Sequence, residues 1–473
     1  MTAEQHAAAG EIVEAALTWT GRIFEAGVRV AIGSDGRIAA VDRDAANAAA
    51  ATDASATDDR PVRRLPHHAL LPGFVNAHSH GFQRALRGRG ESFPAGTGDF
   101  WSWREAMYAL VARLDPDAAG RVYRQAYAEM RAAGFTTVGE FHYLRHADAD
   151  ARDHRFDAVV VEAARDVGIR LVLMPAHYRT GDVEAPLADA QRRFATPDLD
   201  AYWAQVDRLA AILDPPTQHL AAVGHSLRAV PLDDVAGLIE EARRRALPLH
   251  WHVEEQTREI ETCRRAYGAG PLALLTRAGA GAGVVAVHAT QSTPDDLAAF
   301  LDAGGTVCLC PLTEANLADG VADLPAMLTH GGVAALSVGS DSNARIDPFE
   351  ELRWLAYVQR LVRRRRGVVR APRVDGDGDD SGEIGANLIR IGTEGGARAL
   401  GLGDVVGRIA PGHWADLCAV DLQHPSLVDP LAAASEAHGS SPGDPMMRSL
   451  AAALVLGGDG AVVAHTCVAG RWR

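Results

Sequence analysis

Short apolar runs that alternate with amphipathic segments occupy the middle of the chain. Such alternation is typical of βαβ units and a parallel sheet. Eight units over roughly 330 residues predict an α/β fold, a (β/α)8 TIM-like barrel with loop insertions. The eight runs are Leu71–Ala77, Thr136–Phe141, Arg170–Pro175, Leu220–Gly224, Leu247–Trp251, Val284–Val287, Thr306–Cys310 and Val333–Val338.

Both ends of the chain show a strand pattern instead. Val28–Ile32 and Arg37–Val41 flank an Asp-Gly turn, which is a strong hairpin signal. Asp416–Val420 is a further predicted strand, and Ala451–Val455 with Ala461–Val468 predicts a second hairpin. We therefore expect one small β-sandwich domain built from both chain ends. Its parts are residues 1–70 and 403–473, with the barrel over 71–402.

Composition narrows the classes of protein. The 473 residues are 47% hydrophobic and 23% charged, as in ordinary globular proteins that bury a large core. A net charge of −14 argues against nucleic acid as a partner, because phosphate binding needs clustered positive charge. No apolar run is long enough to predict a membrane span. Five scattered cysteines and no leader pattern favour the cytoplasm.

The chain contains no lysine, so all 47 basic residues are arginine. Schiff-base and pyridoxal-phosphate chemistry need an amine side chain and are excluded. P-loop NTPases and protein kinases are excluded as well, because both need a phosphate-binding lysine. A metal pair bridged by a modified lysine is also excluded.

Metal-binding side chains stand where predicted strands end. His78 and His80 are two residues apart and share one face of the first strand end. An isolated His-x-His pair is a weak signal, but His252 and Asp341 follow two other strands of the same barrel. Three imidazoles and a carboxylate suit one Zn²⁺ ion with a bound water whose pKa falls towards about 7. The same ligands also suit Fe²⁺, Mn²⁺ or Co²⁺.

The order of these residues resembles the amidohydrolase superfamily. Pro72–His80 (PGFVNAHSH) resembles its first-strand signature, and Gly407–Leu417 (GRIAPGHWADL) resembles its return to the β-sandwich. The resemblance runs from about residue 20 to the C-terminus. It implies an amidohydrolase-type barrel, with His288 completing the set. Because strand 4 offers His225 and no lysine, the chain resembles the mononuclear, deaminase-like branch.

Within that branch the chain is similar to the formiminoglutamate deiminases of histidine degradation. The similar segments are His78–Ala85 (HSHGFQRA), Phe100–Glu105 (FWSWRE), Phe141–Tyr143, His225–Arg228 and Cys310–Leu317 (CPLTEANL). The expected reaction is hydrolysis of N-formimino-L-glutamate to N-formyl-L-glutamate and ammonia. The resemblance also implies a homodimer, as an open expectation.

The resemblance assigns roles to the site residues. Glu255 protonates the imine nitrogen, His288 orients the water or polarises the substrate, and Asp341 moves the proton to the departing ammonia. Two arginines suit a substrate with two carboxylates, since each can bind one bidentately. The substrate-binding candidates are Gln83, Arg104, Tyr143, His225 and Arg228.

Several alternatives stay open at this stage. A deaminase acting on a nucleobase or a guanidino compound would have the same metal ligands, and a catalytically silent metal-binding relative would lack the acid–base residues. Discrimination against formimino-aspartate and the role of residues 366–384 are undetermined. Two local expectations can be checked directly: Glu254 is an exposed residue at the start of a helix, and Arg104 lies in a loop.

Overall fold

The computed structural model describes residues 10–43, 60–91, 93, 98–369, 384–428 and 445–473. Residues 44–59, which are rich in Ala, Asp and Thr and for which their composition predicts a loop, lie outside these ranges. Most of the polar stretch over 366–384 lies outside them as well.

A parallel sheet forms the barrel, as the apolar runs predict. Its strands follow one another around the sheet in chain order, from the first to the last. They are β6 (Phe74–Ser79), β7 (Phe135–His142), β8 (Arg170–His177), β9 (Gln218–Leu220), β10 (Ala222–Gly224), β11 (Leu249–Val253), β12 (Val284–His288), β13 (Thr306–Leu309) and β14 (Leu336–Val338). A bridge between Ser79 and Asp341 links the last strand end to the first, so the barrel is nearly closed.

Two predicted runs differ in detail from the strands. The fourth run is interrupted at Ala221, so that β9 pairs only with β8 while β10 pairs with β8 and β11. Residues 333–335 of the eighth run form a 3-10 turn, and β14 follows directly. All eight runs nevertheless contribute to the one sheet.

Helices surround the barrel and connect its strands. Local signals fix their ends: the side chain of Asp115 caps α2 with Pro116 at the first position, and Asp347 caps α11 in the same way. The helices are α1 (Phe100–Val111), α2 (Pro116–Ala132), α3 (Arg155–Val167), α4 (Leu199–Ala210), α5 (Leu232–Arg244), α6 (Thr257–Tyr267), α7 (Pro271–Arg277), α8 (Pro294–Asp302), α9 (Pro311–Leu317), α10 (Leu324–His330), α11 (Pro348–Arg363), α12 (Ile384–Arg390), α13 (Gly396–Ala399) and α14 (Pro445–Gly457).

A second sheet combines strands from both chain ends. Its order is β17-β16-β15-β5-β1-β3-β4, with β2 paired to β1. These strands are β1 (Glu11–Trp19), β2 (Phe24–Glu25), β3 (Arg29–Ile32), β4 (Ile38–Asp42), β5 (Val62–Pro72), β15 (Leu417–Asp421), β16 (Val463–Val468) and β17 (Arg471–Trp472). The predicted hairpin of β3 and β4 is confirmed. Alternate residues serve two cores: Leu417 packs within this sheet, whereas Cys418 packs against the barrel.

The second predicted hairpin is wrong. Ala451–Val455 lies inside helix α14, and β16 pairs with β15 and β17 instead. The stretch is rich in alanine and leucine, which favour a helix, and both Leu454 and Val455 are buried against the main core. A short apolar run alone cannot separate a strand from a buried helix.

The chain passes from the second sheet to the barrel at Gly73. A Cβ atom there would overlap the side chain of Thr136 on the neighbouring strand, so glycine permits the close approach. Arg170 at the start of β8 donates to both oxygens of Asp416 beside β15, at 2.6 and 3.0 Å. This buried ion pair joins the two sheets. The described part of the chain contains no helix long and apolar enough to cross a membrane.

Candidate active site

Three imidazole nitrogens meet at the carboxyl end of the barrel. The Nε2 atoms of His78, His80 and His252 lie 3.2–3.3 Å from one another, although His252 is more than 170 residues away in sequence. Asp341 adds its Oδ1 atom at 3.4 Å from His78 and 3.3 Å from His80. The structure thus brings together the four predicted ligands.

The cluster is composed of neutral imidazoles. Burial lowers the pKa of His80 to about 3 and also lowers the pKa values of His78 and His252 well below their usual range. The Nδ1 atom of His80 donates to the carbonyl oxygen of Phe141 at 2.8 Å, which leaves the lone pair on Nε2. Neutral nitrogen lone pairs that face one another cannot satisfy each other, but they can bind a cation.

The spacing fits a small divalent ion. Ligands arranged tetrahedrally at about 2.0–2.1 Å from such an ion lie about 3.3–3.4 Å from one another. The three distances between the Nε2 atoms, and those from Asp341 Oδ1 to His78 and His80, are 3.2–3.4 Å. Donor atoms of His78, His252, His288 and Asp341 also fall within 4.8 Å of one another, so His288 stands beside the same position.

His288 is surrounded by carboxylates. Its Nε2 atom lies 3.8 Å from Asp341 and 3.9 Å from Glu255, and its Nδ1 atom lies 3.3 Å from Glu314. Burial alone would lower the pKa of His288, but the charges of Glu255, Glu314 and Asp341 outweigh it and raise the pKa to about 10. A divalent cation in the cluster would oppose that rise. Proton donors and acceptors therefore flank the metal-binding atoms.

A pocket opens over this cluster. It is lined by His80, His252, Asp341 and Glu255, and by each predicted substrate-binding residue: Gln83, Arg104, Tyr143, His225 and Arg228. Aromatic rings form much of the remaining wall: Phe100, Trp103, Tyr108, Tyr178 and Phe194. The pocket combines apolar walls with a few convergent polar groups, which is typical of small-molecule sites.

The two arginines of the pocket have different settings. Arg228 is buried between carboxylates, with Nη2 3.2 Å from Glu255 and Nε 3.5 Å from Glu259. Arg104 has no ion pair among the described residues, and its guanidinium lies 4.4 Å over the ring of Trp101. Arg104 is on helix α1 and not in a loop as expected, because Asp99 caps that helix.

The remaining pocket residues form short polar contacts. Gln83 donates from Nε2 to the hydroxyl of Tyr143 at 2.6 Å, which leaves its buried Oε1 atom without a partner among the described residues. His225 Nδ1 lies 3.1 Å from the hydroxyl of Ser226, and burial lowers its pKa well below the usual range. Gln83 Oε1 is therefore free to accept a hydrogen bond from a ligand.

Glu254 is buried, contrary to the expectation of an exposed residue. Its Oε1 atom accepts a hydrogen bond from the backbone of Leu272 in the first turn of α7, at 3.2 Å. Its side chain does not line the pocket. The adjacent Glu255 lines the pocket. The conformation of the loop therefore places these two neighbouring side chains in different surroundings.

Sequence reasoning missed the residues that support this site. Glu314 and Glu259 hold His288 and Arg228, and Asn343 donates to the backbone oxygens of His80 and Asp341. Glu314 lies inside the CPLTEANL segment, so its position next to a predicted strand was the one available signal. Contacts made across the barrel leave no trace in local sequence.

The chain is similar in sequence to known amidohydrolases and deaminases. The profile of the amidohydrolase family matches residues 69–473. A formimidoylglutamate deiminase of Pseudomonas aeruginosa is 38% identical over 410 residues, which cover 85% of this chain and 84% of the relative. An isoxanthopterin deaminase of an unknown prokaryotic organism is 29% identical and covers 75% of this chain and 74% of its own length.

Solved structures share the fold over nearly the whole chain. An amidohydrolase from Brucella melitensis is similar with a TM-score of 0.79 and 27% identity, covering 98% of this chain and 94% of that one. An adenosine deaminase from Xanthomonas campestris with bound zinc gives a TM-score of 0.76 and 25% identity, covering 98% and 92%.

Proposed function

This chain belongs to the amidohydrolase family, and we propose that it hydrolyses N-formimino-L-glutamate to N-formyl-L-glutamate and ammonia. The observation that carries the proposal is the position of Arg228, a buried side chain suited to binding a carboxylate, in the pocket lined by three of the four proposed metal ligands. The 38% identity to a formimidoylglutamate deiminase supports the same substrate. The reaction would place the protein in histidine breakdown.

We propose one Zn²⁺ ion per chain, held by His78, His80, His252 and Asp341. The close spacing of the donor atoms and the neutral imidazoles support this choice, although Fe²⁺, Mn²⁺ and Co²⁺ accept the same donors. When bound, the ion supplies a Lewis acid that makes water acidic enough to react near neutral pH.

The proposed proton transfers use three side chains. The oxygen of water bonds to the amidine carbon, and Glu255 takes one proton of that water and gives it to the imine nitrogen. Asp341 accepts a proton from the water and delivers it to the same nitrogen, which leaves as ammonia when the C–N bond breaks. His288, which lies 3.8 Å from Asp341 and 3.9 Å from Glu255, orients the water between them.

We propose that the two arginines bind the two carboxylates of the substrate. Arg228 has donors beyond those used by Glu255 and Glu259, and the guanidinium of Arg104 faces the same pocket. Gln83, Tyr143 and His225 add hydrogen bonds nearer the metal cluster. Planar guanidinium groups suit this task, because each can hold a carboxylate with two parallel hydrogen bonds.

A second candidate is a deaminase acting on an aromatic amidine such as a nucleobase or a pterin. The observation that favours it is the aromatic wall of the pocket, since flat rings stack on such side chains. The 29% identity to an isoxanthopterin deaminase agrees with this alternative. It gives no reason for Arg228 to be held in the pocket.

The deciding experiment measures ammonia release from N-formimino-L-glutamate, N-formimino-L-aspartate, guanine and cytosine, with metal content determined on the same sample. We expect turnover of formiminoglutamate to exceed the others by at least about 100-fold, with about one zinc per chain. Preferred turnover of guanine or cytosine would overturn the substrate assignment and favour the second candidate.

We also propose a cytoplasmic homodimer. Five buried cysteines without a disulfide suit a reducing compartment. Four of the eight exposed large apolar side chains in the described ranges lie on helix α11, and Trp354, Tyr357 and Leu361 share one face of it. We expect light scattering to give a dimer for the native chain and a monomer for Leu361→Arg; a native monomer would contradict the proposal.

A further inference from the structure

Glu255 lies in a loop whose conformation its own residues do not favour. Residues 254–256 connect β11 to α6, and Glu254 has a φ of 51°. Residues other than glycine seldom adopt this left-handed region, and they persist there only where surrounding contacts hold them. The carboxylate of Glu255 meets Arg228 and His288, but these contacts restrain the side chain and not the backbone.

Hydrogen bonds from the segment that follows β12 hold the backbone of this loop. The amide of Gln291 donates to the carbonyl oxygen of Glu254 at 3.1 Å, and the hydroxyl of Thr290 donates to that of Glu255 at 3.3 Å. The side chain of Gln256 reaches further and donates from Nε2 to Oδ1 of Asp319. Asp319 therefore accepts a hydrogen bond from the residue next to Glu255.

Asp319 is built into a rigid turn at the end of α9. Its backbone amide donates to the carbonyl of Glu314 at 2.9 Å, and its carbonyl oxygen accepts from Nε2 of Gln291 at 2.5 Å. Gly320 follows with a φ of 98°, and a Cβ atom there would overlap the Gln291 amide group. Glycine at 320 thus permits both the turn and the approach of Gln291.

The same short helix also holds the other side of the site. Glu314 on α9 accepts a hydrogen bond from the backbone amide of Cys310 at 2.8 Å and contacts Nδ1 of His288 at 3.3 Å. Glu314 on α9 therefore contacts His288, and Asp319 in the turn after α9 contacts the Glu255 loop through Gln256.

We propose that Asp319 is a positioning residue that holds the Glu255 carboxyl group against the imine nitrogen of the substrate. Its side chain accepts a hydrogen bond from Gln256, and its backbone carbonyl accepts one from Gln291. The inference rests on the proposed role of Glu255 as proton donor. Burial and the nearby Glu255 raise the pKa of Asp319 to about 9. Asparagine is therefore the closest replacement, since it is neutral and keeps an oxygen that accepts from Gln256.

The test is a double-mutant cycle on kcat. Asp319→Ala is expected to lower kcat about 10- to 100-fold with KM within about two-fold, because a displaced catalytic group costs rate and not binding. Asp319→Asn keeps most of kcat. In a Glu255→Gln background, Asp319→Ala has little further effect, because the group that it positions is already lost.

Gln359→Leu is the matched control. Gln359 donates to the carbonyl of Ala322 and supports the same segment from the other side, without a bond to the Glu255 loop. We expect this variant to lower the melting temperature and leave kcat unchanged. An equal fall of kcat in Gln359→Leu, or an undiminished effect of Asp319→Ala in the Glu255→Gln background, would overturn the positioning role.

The native enzyme is assayed first, so that failure of the proposed function appears as absent turnover before any variant is compared. A crystal structure of Asp319→Ala then tests the positioning without activity. The expected result is a Glu255 carboxyl group displaced from His288. A Glu255 loop identical to that of the native protein would contradict the proposal.

Discussion

At the scale of single residues, chemistry is decided by which partner holds each side chain. Glu254 and Glu255 are adjacent and chemically alike, yet Glu254 accepts a bond from helix α7 while Glu255 faces the pocket. His80 presents Nε2 to the neighbouring His78 and His252 because the carbonyl of Phe141 accepts the hydrogen bond from its other nitrogen. Residue type sets what a group can do, and its hydrogen-bond partner sets what it does.

Replacing Arg228 tests the carboxylate-binding role. Arg228→Met should lower kcat/KM for formiminoglutamate by about 100-fold or more, because a bidentate carboxylate contact is lost and two buried glutamates lose their cation. Steady-state kinetics measure the effect. Arg265→Met, on the exposed side of α6, is the control and should not change kcat/KM. A loss no greater than that of the control would contradict the role.

Replacing Glu255 tests the proton donor. Glu255→Gln keeps the size of the side chain but cannot give up a proton, so kcat should fall by about 10²- to 10⁴-fold. KM should change little, because the carboxylate-binding arginines are intact. If Glu255→Gln retained more than about a tenth of the native kcat, another group would have to protonate the substrate.

At the scale of elements, buried polar clusters fix how strands and helices meet. Asp157 on α3 accepts from His142 at 2.9 Å, from Arg145 at 2.8 and 3.0 Å, and from Gln205 at 2.7 Å. These bonds join β7 to α3 and α4. Tyr143, between His142 and Arg145, is held in the pocket as a result.

This cluster should make stability depend on pH. Burial would raise the pKa of Asp157, but Arg145 and His142 outweigh it and hold the pKa well below its usual range. Burial lowers the pKa of His142. Both groups bind protons more readily in the unfolded chain, so their contribution is complete above about pH 6.5 and declines as the pH falls.

Urea unfolding from pH 8 to pH 4 measures that dependence. Asp157→Asn should lower the free energy of unfolding at pH 7 by about 3 kcal/mol, because Arg145 stays buried without its counter-charge. Because Asp157 opposes the lowering of the pKa of His142, the variant should also show a steeper decline between pH 6 and pH 4. An unchanged slope would mean that other groups carry the acid sensitivity.

At the scale of the whole molecule, a few buried contacts join the two sheets. Arg170 at the base of the barrel binds both oxygens of Asp416 in the second sheet, and the side chains are 0% and 1% exposed. The oxygen Oδ1 also accepts from the amide of Ala469 at 2.8 Å. The C-terminal part of the second sheet and the barrel thus share one ion pair.

Breaking that pair should destabilise both units at once. Arg170→Met leaves Asp416 buried without a cation and should cost about 3–5 kcal/mol. Arg170→Met with Asp416→Asn should recover part of the loss, because no charge is left uncompensated. Chemical unfolding followed by tryptophan fluorescence gives both values. Equal stabilities of the single and double variants would contradict this account.

Metal removal should also lower the stability of the whole molecule. A cation that binds the folded chain alone stabilises it, so chelation should abolish activity and lower the melting temperature. Adding Zn²⁺ back should restore both. A variant lacking two ligands, His78→Ala with His80→Ala, serves as control because its melting temperature should not respond to zinc.

The periodic features of this protein can be predicted from its sequence alone. Eight apolar runs predicted the barrel strands, and the residues at their ends predicted the ligand set, because a barrel brings all its carboxyl ends to one mouth. The N-terminal hairpin was predictable because an Asp-Gly turn is a local property. The helix over 445–457 was not, since its short apolar run fits a strand equally well until the core that covers it is known.

Contacts between side chains that are far apart in sequence are visible only in the folded structure. Glu314, Glu259 and Asp319 support His288, Arg228 and the Glu255 loop from other elements, and nothing near them in sequence indicates those partners. The burial of Glu254 has the same origin. Local sequence fixes backbone preference and the side on which a residue points, whereas burial and partners depend on segments that the chain brings together only when it folds.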